Sequence, residues 1–412
     1  MNRTILHSDM NSFYASVEIM LHPELRGRAV AVCGSEKERH GIVLAKSDAA
    51  KKAGVKTGMS NHEALEACPG LILRAPDYRQ YLKFSRAAKE IYGRYTDYIE
   101  PFGMDECWLD VTASRICGTG PEIAERIRKS INEELGLTVS IGVSWNKIFA
   151  KLGSDMKKPD AVTVITKENY QSKVWPLPVG DLLYAGPAAV KKLHNVGINT
   201  IGELAAADER LIKKMMGING LRLISYARGT DESRVMHKST VIPPKSISHG
   251  VTCMADLTSD EEVKRVILEL SQEIGRRLRA ENCTACTVQL TLRSHDLSFT
   301  GAAAHFLQPT RSPSVIAETA FFIYLSYFSE DPSPVRQVTV SVTDFICDGE
   351  FMQPSLFVDQ AFCEKLDRAE NAVYEIRSRF GESSVIPASL LLEKKIPHDG
   401  RDLVKMPNIM YS

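Results

Sequence analysis

The sequence predicts an α+β protein of several domains, and three observations support this fold class. A chain of 412 residues is too long for one ordinary hydrophobic core and predicts roughly two to four domains. Over the first 165 residues, strand and helix patterns alternate as one mixed sheet requires. A second set of strand and helix patterns follows Pro243-Pro244, where paired prolines keep the chain extended and prevent a helix from continuing.

The first 165 residues have the pattern of a sheet with helices packed on one of its faces. Apolar runs predict strands over 1–11, 98–102, 107–111, 139–143 and 162–165. Apolar residues at helical spacing predict helices over 61–67, 80–94, 121–135 and 147–156. The segment 103–106 between two of the strands is typical of a hairpin turn.

The rest of the chain divides into three further parts. Residues 179–228 predict short helices separated by glycines. Residues 261–279 predict a helix, and residues 286–292 and 335–342 predict strands, which together form a second small α+β domain. Residues 359–379 predict a charged amphipathic helix, and residues 381–412 predict a loosely packed tail.

Composition excludes several classes of protein. A chain that is 44% hydrophobic and 25% charged is typical of a globular protein. No apolar stretch reaches the roughly 20 residues that span a bilayer, and the first residues lack the pattern of a secretory signal. Nine irregularly spaced cysteines predict reduced thiols in a cytoplasm. Cys283 and Cys286 are therefore expected to be free structural thiols, since no second pair stands at zinc-ligand distance.

The net charge of zero conceals an uneven distribution along the chain. Lysine and arginine together number 51, as do aspartate and glutamate. Residues 171–240 nevertheless carry a net charge of +4, whereas residues 241–350 carry −5. The compact positive segment is the part of the chain that we expect to face phosphate.

Three acidic residues lie where predicted strands end. Asp9 closes the first strand, and Asp105 and Glu106 lie at the hairpin turn. If these strands are neighbours, the three carboxylates converge and repel one another. Two Mg²⁺ ions some 3.5–4 Å apart relieve such repulsion and support the nucleotidyl transfer that polymerases perform. Considered alone, the acids are better explained as a pair of exposed turn residues and one helix N-cap.

The segments around these acids resemble a known family. Residues 9–18, DMNSFYASVE, and residues 103–112, GMDECWLDVT, resemble the two metal-binding motifs of Y-family translesion DNA polymerases. Residues 144–159, SWNKIFAKLGSDMKKP, resemble a third motif of that family. The resemblance extends in order over about residues 4–350. It implies a right-hand polymerase with a ferredoxin-like palm, small fingers, a helical thumb and an α+β little finger.

The resemblance also implies boundaries for these domains. The palm is expected in 1–11 and 75–165, and the fingers in 12–74. A helix-hairpin-helix thumb is expected in 171–236, followed by a linker in 237–242. The little finger is expected in 243–348, and a clamp-binding peptide and C-terminal tail in 349–412.

The metal ligands follow from the motifs position by position. Asp9 and Asp105 are expected to bind both Mg²⁺ ions. Glu106 is expected to bind the catalytic ion and to help activate the primer 3′-hydroxyl. The backbone carbonyl of Met10 is expected to complete the site of the nucleotide-side ion.

The nucleotide-binding residues follow in the same way. Tyr14 matches the steric gate that excludes a ribose 2′-hydroxyl, with Phe13 beside it. Lys158 matches the lysine that binds the triphosphate. Asp48 and Lys51 stand where the family usually has a Tyr and an Arg. Lys51 is a point charge without the bidentate fork of Arg, so the fingers contact to phosphate departs from the family pattern.

Two further segments resemble binding elements. Residues 183–204 resemble a helix-hairpin-helix, which offers backbone N–H groups to DNA phosphate, with Gly186, Lys191, Lys192 and Gly197 as its DNA-binding residues. Two packed helices joined by a glycine turn are the alternative. Residues 353–357, QPSLF, resemble the peptide by which bacterial polymerases bind the sliding clamp. Gln353 orients such a peptide, and Leu356 and Phe357 fill an apolar pocket. A loop with a buried Leu-Phe pair is the alternative.

The sequence therefore predicts a template-directed, Mg²⁺-dependent DNA polymerase of low fidelity that copies damaged templates. Its expected partners are primer-template DNA, dNTPs and the sliding clamp, and it is expected to be a monomer of the bacterial cytoplasm with no membrane association. One alternative is a nucleotidyl cyclase, which shares a palm-like sheet and two metal ions. The other is a non-catalytic DNA- and clamp-binding module, which the departures at Asp48 and Lys51 favour.

Overall fold

A computed structural model describes residues 3–39, 41–328, 333–347, 355–392 and 395–397 of the chain. The strands are β1 (Ile5–Met10), β2 (Val30–Cys33), β3 (Val43–Lys46), β4 (Ile72–Arg74), β5 (Ile99–Pro101), β6 (Glu106–Asp110), β7 (Val139–Ser144), β8 (Val162–Val164), β9 (Ser246–Leu257), β10 (Cys283–Ser294), β11 (Phe299–Thr310) and β12 (Val335–Cys347). The α-helices are α1 (Phe13–Leu21), α2 (Asp48–Lys52), α3 (Asn61–Ala67), α4 (Tyr78–Tyr92), α5 (Gly120–Leu135), α6 (Lys147–Met156), α7 (Tyr170–Val174), α8 (Pro187–His194), α9 (Ile201–Ala206), α10 (Glu209–Ala227), α11 (Asp260–Ala280), α12 (Pro313–Tyr327) and α13 (Gln360–Phe380).

The central sheet has five strands in the order β5-β6-β1-β7-β8. The middle strand, β1, pairs antiparallel with both β6 and β7, and β8 joins β7 in parallel. Every residue of β1 is buried. The predicted sheet of the first 165 residues is therefore confirmed, with β6 of the hairpin beside β1 and β5 beyond β6. The prediction of helices on one face is wrong, because α4 and α5 pack on one face of this sheet and α6 packs on the other.

The two faces of the central sheet pack against different helices. Successive side chains of a strand point to opposite faces. Leu6 packs into an apolar core with α4 and α5. His7, on the opposite face, is hydrogen-bonded from Nδ1 to the Ser154 hydroxyl of α6 at 2.9 Å. Asp9 shares the face of His7, so its carboxylate is directed toward α6.

A glycine allows α6 to approach the sheet closely. A Cβ added to Gly142 of β7 would lie 1.9 Å from the backbone oxygen of Ala150 in α6. No other residue type fits this space without moving the helix. The close contact of β7 and α6 therefore places the polar residues of α6 against the end of β1.

A second sheet, of three strands in the order β3-β2-β4, has its own small core. Helices α2 and α3 belong to this part of the chain. The hydroxyl of Ser47 accepts a hydrogen bond from the N–H of Ala50 at the start of α2. Ser60 and Glu63 form a capping box at the start of α3, which fixes its first residue.

The chain forms the helices α8 to α10 within the predicted range 179–228, and α7 precedes that range. They share one apolar core with residues of α6. Gly217, with a φ of 64°, interrupts α10 and divides it into two helical pieces. No helix among the described residues is long and apolar enough to cross a membrane.

The contacts divide the chain into two compact units, one formed chiefly by residues 1–34 and 42–241 and the other by residues 35–41 and 242–403. The second unit is built on an antiparallel sheet in the order β11-β10-β12-β9. Helices α11 and α12 pack on this sheet around a core that includes Ile267, Leu270, Val288, Ile316 and Val340. The predicted second α+β domain is confirmed.

The prediction of reduced thiols is wrong for two of the nine cysteines. Cys283 and Cys347 lie opposite each other on β10 and β12 and form a disulfide. Cys286 is a free thiol, as expected. The disulfide joins residues 64 positions apart, so only the strand pairing brings them together.

The predicted loosely packed tail is described only at residues 381–392 and 395–397, where most residues of the first segment are exposed but several contact the rest of the second unit. The Arg377 side chain donates a 2.9 Å hydrogen bond to the carbonyl of Val385. A short 3-10 helix, Ala388–Leu391, buries Leu390. The carbonyl of Lys395 accepts a 2.7 Å hydrogen bond from the N–H of Met254 in β9.

Candidate active site

Two of the predicted acids face each other across neighbouring strands. Asp9 of β1 lies directly opposite Glu106 of β6 in the antiparallel register. Directly opposed residues project their side chains from the same face of a sheet. Because Asp9 is directed toward α6, the carboxylate of Glu106 is directed there as well.

Lysine side chains from α6 and the segment after it neutralise these acids. The ammonium of Lys151 lies 2.9 Å from Oε1 of Glu106 and 3.3 Å from Oδ2 of Asp9. The ammonium of Lys158 lies 2.7 Å from the same oxygen of Asp9 and 2.9 Å from Asp155. Asp9 is 4% exposed, so these charges interact with little screening by solvent.

The environment separates the pKa values of the carboxyl groups. Burial and the nearby charge of Glu106 raise the pKa of Asp9 to about 7. Burial also opposes ionisation of Glu106, but the His7 imidazole and the Lys151 ammonium favour its carboxylate and hold its pKa below the usual value. Burial and the charge of Glu106 raise the pKa of Asp105 to about 6. Such a cluster favours a cation, since added positive charge lowers the cost of ionising all three groups.

Asp105 and Met10 lie next to this pair. The N–H of Met10 donates a 3.0 Å hydrogen bond to the backbone carbonyl of Asp105, which ties the end of β1 to the hairpin turn. Within the described ranges, no three His, Cys, Asp or Glu side chains are arranged as a closed metal-binding group. Lys151 occupies the position between Asp9 and Glu106 instead.

The two predicted aromatic residues begin α1 and differ in exposure. Phe13 is 3% exposed and belongs to the core of the central sheet. The ring of Tyr14 stacks on Tyr81 with centroids 4.4 Å apart and meets Tyr78 edge-on at 5.9 Å. Burial and the charge of Asp105 raise the pKa of the Tyr14 hydroxyl, which is therefore neutral at physiological pH. Tyr14 is thus a half-buried ring held rigidly near the acidic cluster.

The predicted phosphate contact of the fingers lies on α2. Lys51 is exposed in the last turn of this helix, and no ion pair of the described residues joins it to Asp9 or Glu106. Burial and the charge of Lys51 lower the pKa of Lys46, which shows that two lysines lie near each other here. Asp48 lines a small cavity of about 210 Å³ together with Ser12, which precedes α1.

The hairpin before α8 is the segment predicted to bind DNA phosphate. Tyr184 adopts a φ of 69°, a conformation that glycine favours, and 63% of its surface is exposed. Gly186 precedes the first residue of α8, and a Cβ there would meet no atom within 4 Å. Lys191 and Lys192 are exposed in the last turn of α8, and Gly197 follows with a φ of 79°.

The predicted clamp-binding peptide is partly described. Leu356 is 97% exposed and Phe357 is 90% exposed. The alternative of a loop with a buried Leu-Phe pair is therefore wrong for the described residues. Gln353 lies outside the described residues.

The structure adds three polar residues to the predicted site. Lys151 joins the two carboxylates, and buried His7 places its Nε2 3.6 Å from Oε2 of Glu106. Asn11 donates to the Ser140 hydroxyl and accepts from the N–H of Asp160, which fixes the turn between β1 and α1. The spacing of Lys147, Lys151 and Asp155 at four-residue intervals was a signal for one polar face of α6.

Comparisons with known proteins agree with the predicted resemblance. Residues 8–155 match the impB/mucB/samB family, and residues 244–356 match the C-terminal domain of that family. A DNA polymerase IV from Acetivibrio thermocellus is 46% identical over 395 residues, which span 96% of this chain and 99% of that relative. A protein named DNA polymerase IV 1 from Bacillus subtilis is 37% identical over 345 residues, 84% of this chain and 83% of that relative.

A solved structure agrees with the predicted fold. A Y-family DNA polymerase chimera of Dbh and Dpo4 superposes with a TM-score of 0.74 at 24% identity, covering 84% of this chain and 100% of the chimera. The predicted multidomain α+β polymerase fold is thereby confirmed. With the two domain matches and the sequence relatives, it follows that this chain belongs to the impB/mucB/samB family of Y-family DNA polymerases, of the DNA polymerase IV type.

Proposed function

We propose that this translesion DNA polymerase adds dNTPs to a primer 3′-hydroxyl at a site formed by Asp9, Asp105 and Glu106. One observation carries the assignment: Asp9 and Glu106 oppose each other on adjacent strands and already share an ammonium cation, that of Lys151. Family membership makes the chain a DNA-directed DNA polymerase and removes the nucleotidyl cyclase alternative.

The donor set fits Mg²⁺, and we propose that it holds two ions. Carboxylate and carbonyl oxygens are the ligands that Mg²⁺ prefers, and Asp9, Asp105, Glu106 and the carbonyl of Met10 supply them. Bound there, two Mg²⁺ ions activate the attacking 3′-hydroxyl and stabilise the leaving pyrophosphate. The raised pKa of Asp9 supports this proposal, because a buried acid of this kind ionises fully once a stronger cation replaces the lysine.

The remaining residues of the site are proposed to bind and select the nucleotide. Lys158 lies 2.7 Å from Asp9 and can exchange this ion pair for a triphosphate oxygen. Lys51 is proposed to reach the same triphosphate from α2. Tyr14, held by its stack on Tyr81, is proposed to fill the space that a ribose 2′-hydroxyl would occupy.

The domain boundaries predicted above are retained as proposals. The five-stranded sheet represents the palm, the three-stranded sheet the fingers, helices α7–α10 the thumb, and the four-stranded sheet the little finger. The exposed lysines of α8 and the backbone N–H groups after Gly186 are proposed to bind DNA phosphate. The relatives are bacterial, and we propose a bacterial cytoplasmic setting and a monomeric enzyme.

The exposed Leu356 and Phe357 are proposed to bind the sliding clamp. These two large apolar side chains are 97% and 90% exposed, so covering them with a partner's apolar pocket would make a favourable contribution to the free energy of binding. The clamp would hold the polymerase near the primer end.

Primer extension tests the proposed function. The full-length protein is incubated with Mg²⁺, dNTPs and a labelled primer on an intact template and on a template with an abasic site. We expect template-directed extension on both templates and none when EDTA removes the metal. Binding of primer-template DNA without any extension would contradict the proposed site.

A further inference from the structure

Helix α13 is attached to the second unit by polar contacts rather than by an apolar core. None of its residues is buried. It nevertheless contacts Arg279 of α11, which is only 5% exposed and lies among three polar side chains of α13. An isolated buried guanidinium is costly, so these contacts hold the helix in one place.

The distances define the contact. The Arg279 guanidinium lies 2.8 Å from the amide oxygen of Asn371, 3.0 Å from Glu370 and 3.3 Å from Asp367. Asp367 also accepts two hydrogen bonds from Arg311, at 2.8 and 3.0 Å. We call this group of charged and polar side chains the Arg279 cluster.

Further polar contacts join α13 to α12 and to α11. Glu370 accepts a hydrogen bond of 2.8 Å from the hydroxyl of Ser312, the cap of α12. Toward the end of the helix, Arg377 donates a 3.0 Å hydrogen bond to the side chain of Gln272 in α11. The helix is therefore fixed along its length to α11 and to the start of α12.

Gln360, the first residue of α13, connects this fixed helix to the exposed Leu-Phe pair. Its side-chain amide donates to Gln308 of β11 at 2.6 Å and to the backbone carbonyl of Ser355 at 3.1 Å. The N–H of Phe357 in turn donates to the hydroxyl of Ser355. Leu356 and Phe357 thus project from a turn that is linked to β11 through the side chain of Gln360.

We propose that α13 positions the turn that carries Leu356 and Phe357. The helix thereby presents both side chains in one orientation to a protein partner with an apolar pocket. This inference rests on the proposed clamp binding and adds that the peptide is pre-ordered by the helix that follows it. A peptide that is already ordered does not lose conformational entropy on binding, so its affinity is higher than that of the same residues on a free chain.

Binding of the full-length protein to an immobilised bacterial sliding clamp tests the proposal. Gln360→Ala removes the contacts to Gln308 and Ser355 and leaves the Leu-Phe pair intact. Asp367→Asn with Glu370→Gln removes both charges that face Arg279. We expect each variant to bind the clamp about tenfold more weakly. The loop and its side chains would then be ordered only on binding, and the loss of conformational entropy would reduce the affinity.

Two controls accompany these variants. Glu364→Gln changes an exposed acid of the same helix outside the Arg279 cluster and should bind as the wild type does. Amide hydrogen exchange over residues 360–380 reports whether the helix has loosened, which we expect for the Asp367→Asn/Glu370→Gln variant. If that variant does not fold, Gln360→Ala alone decides the question.

The outcomes distinguish the proposed positioning role of α13 from the proposed binding of the clamp. The positioning role of α13 would be wrong if Gln360→Ala binds the clamp with wild-type affinity and the Asp367→Asn/Glu370→Gln variant does so too despite faster amide hydrogen exchange. In that case, loss of binding in Leu356→Ala/Phe357→Ala would still support clamp binding. If Leu356→Ala/Phe357→Ala binds the clamp with wild-type affinity, both the clamp-binding role of this pair and the positioning role of α13 would be wrong.

Discussion

The proposed role of Tyr14 as a steric gate depends on how its ring is held. Its ring is held between Tyr81 and Tyr78 and cannot move aside without losing both contacts. A rigid ring at the edge of a nucleotide site excludes an additional hydroxyl by steric overlap.

We predict that Tyr14→Ala admits ribonucleotides, because the space of the ring becomes available to a 2′-hydroxyl. The measurement is the ratio of rNTP to dNTP incorporation efficiency, with Tyr14→Phe as the matched control that keeps the ring. We expect the ratio to rise strongly in Tyr14→Ala and little in Tyr14→Phe. An unchanged ratio in Tyr14→Ala would make Tyr14 a packing residue only.

Lys158 and Lys51 are predicted to contribute to the dNTP KM rather than to DNA binding. Lys158 follows α6 and lies at the acidic cluster, and Lys51 lies on α2, so each is proposed to contact the triphosphate from its own side. Alanine at either position should raise the apparent KM for dNTP about tenfold, the typical effect of one lost charged hydrogen bond.

Steady-state kinetics with saturating DNA checks this prediction, with Lys52→Ala as a control on the same helix as Lys51. If Lys51→Ala leaves the KM unchanged while Lys158→Ala raises it, the triphosphate contact on the fingers side is supplied by another residue. If neither substitution changes the KM for dNTP, the assignment of the triphosphate site is wrong.

At the scale of elements, the packing of α6 on β7 positions the lysines of the site. The backbone oxygen of Ala150 approaches so closely that Gly142 has no room for a Cβ. We predict that Gly142→Ala displaces α6, costs about 1–3 kcal/mol of unfolding free energy, as overpacking typically does, and lowers the incorporation rate.

Chemical denaturation and single-nucleotide incorporation check the Gly142→Ala prediction together. Gly180→Ala is the control, since a Cβ there meets only Val190 at an ordinary 3.4 Å. Wild-type stability in Gly142→Ala would mean that the helix can shift at no cost.

The elements that the sequence predicts best have local signals. Helices α3 and α6 begin and end at the predicted residues because Ser60 and Asn146 cap them with side-chain hydrogen bonds. Helix α12 was not predicted because exposed Phe322 and Leu325 interrupt its buried residues, which leaves no polar face to mark the helical period. Strands β2, β3 and β4 were also missed, being only three or four residues long.

The site was predictable as far as its motifs reach. Asp9 and Glu106 follow from the motifs, and the structure places them opposite each other. The role of Lys151 could not be predicted, because it depends on the packing of α6 against two strands that are distant in sequence. The Cys283–Cys347 disulfide likewise depends on strand pairing and not on spacing.

For the whole molecule, the lack of a net positive charge limits how tightly the protein can hold DNA. The net charge is zero, and the positive segment 171–240 carries only +4. Affinity for DNA falls steeply with salt when it depends on a few phosphate contacts. A tether to the clamp raises the local concentration of enzyme at the primer end without any new DNA contact.

We therefore predict that Leu356→Ala with Phe357→Ala eliminates clamp-stimulated synthesis and spares the clamp-free rate. Both side chains are almost fully exposed, so their removal should leave stability unchanged within about 0.5 kcal/mol. Primer extension with and without a loaded clamp checks this. An equal loss of clamp-free activity would assign the pair a structural role, and surviving stimulation would place the clamp contact elsewhere.

The central claim is that Asp105 and Glu106, with Asp9, form a metal-dependent polymerase site. The most direct test is single-turnover dNTP incorporation by Asp105→Asn and Glu106→Gln with Mg²⁺, alongside the affinity of each variant for primer-template DNA. We predict that either substitution slows incorporation at least about 1000-fold, equivalent to about 4 kcal/mol of transition-state stabilisation, while DNA affinity stays within about threefold of the wild type. Incorporation at the wild-type rate in either variant would contradict the assignment.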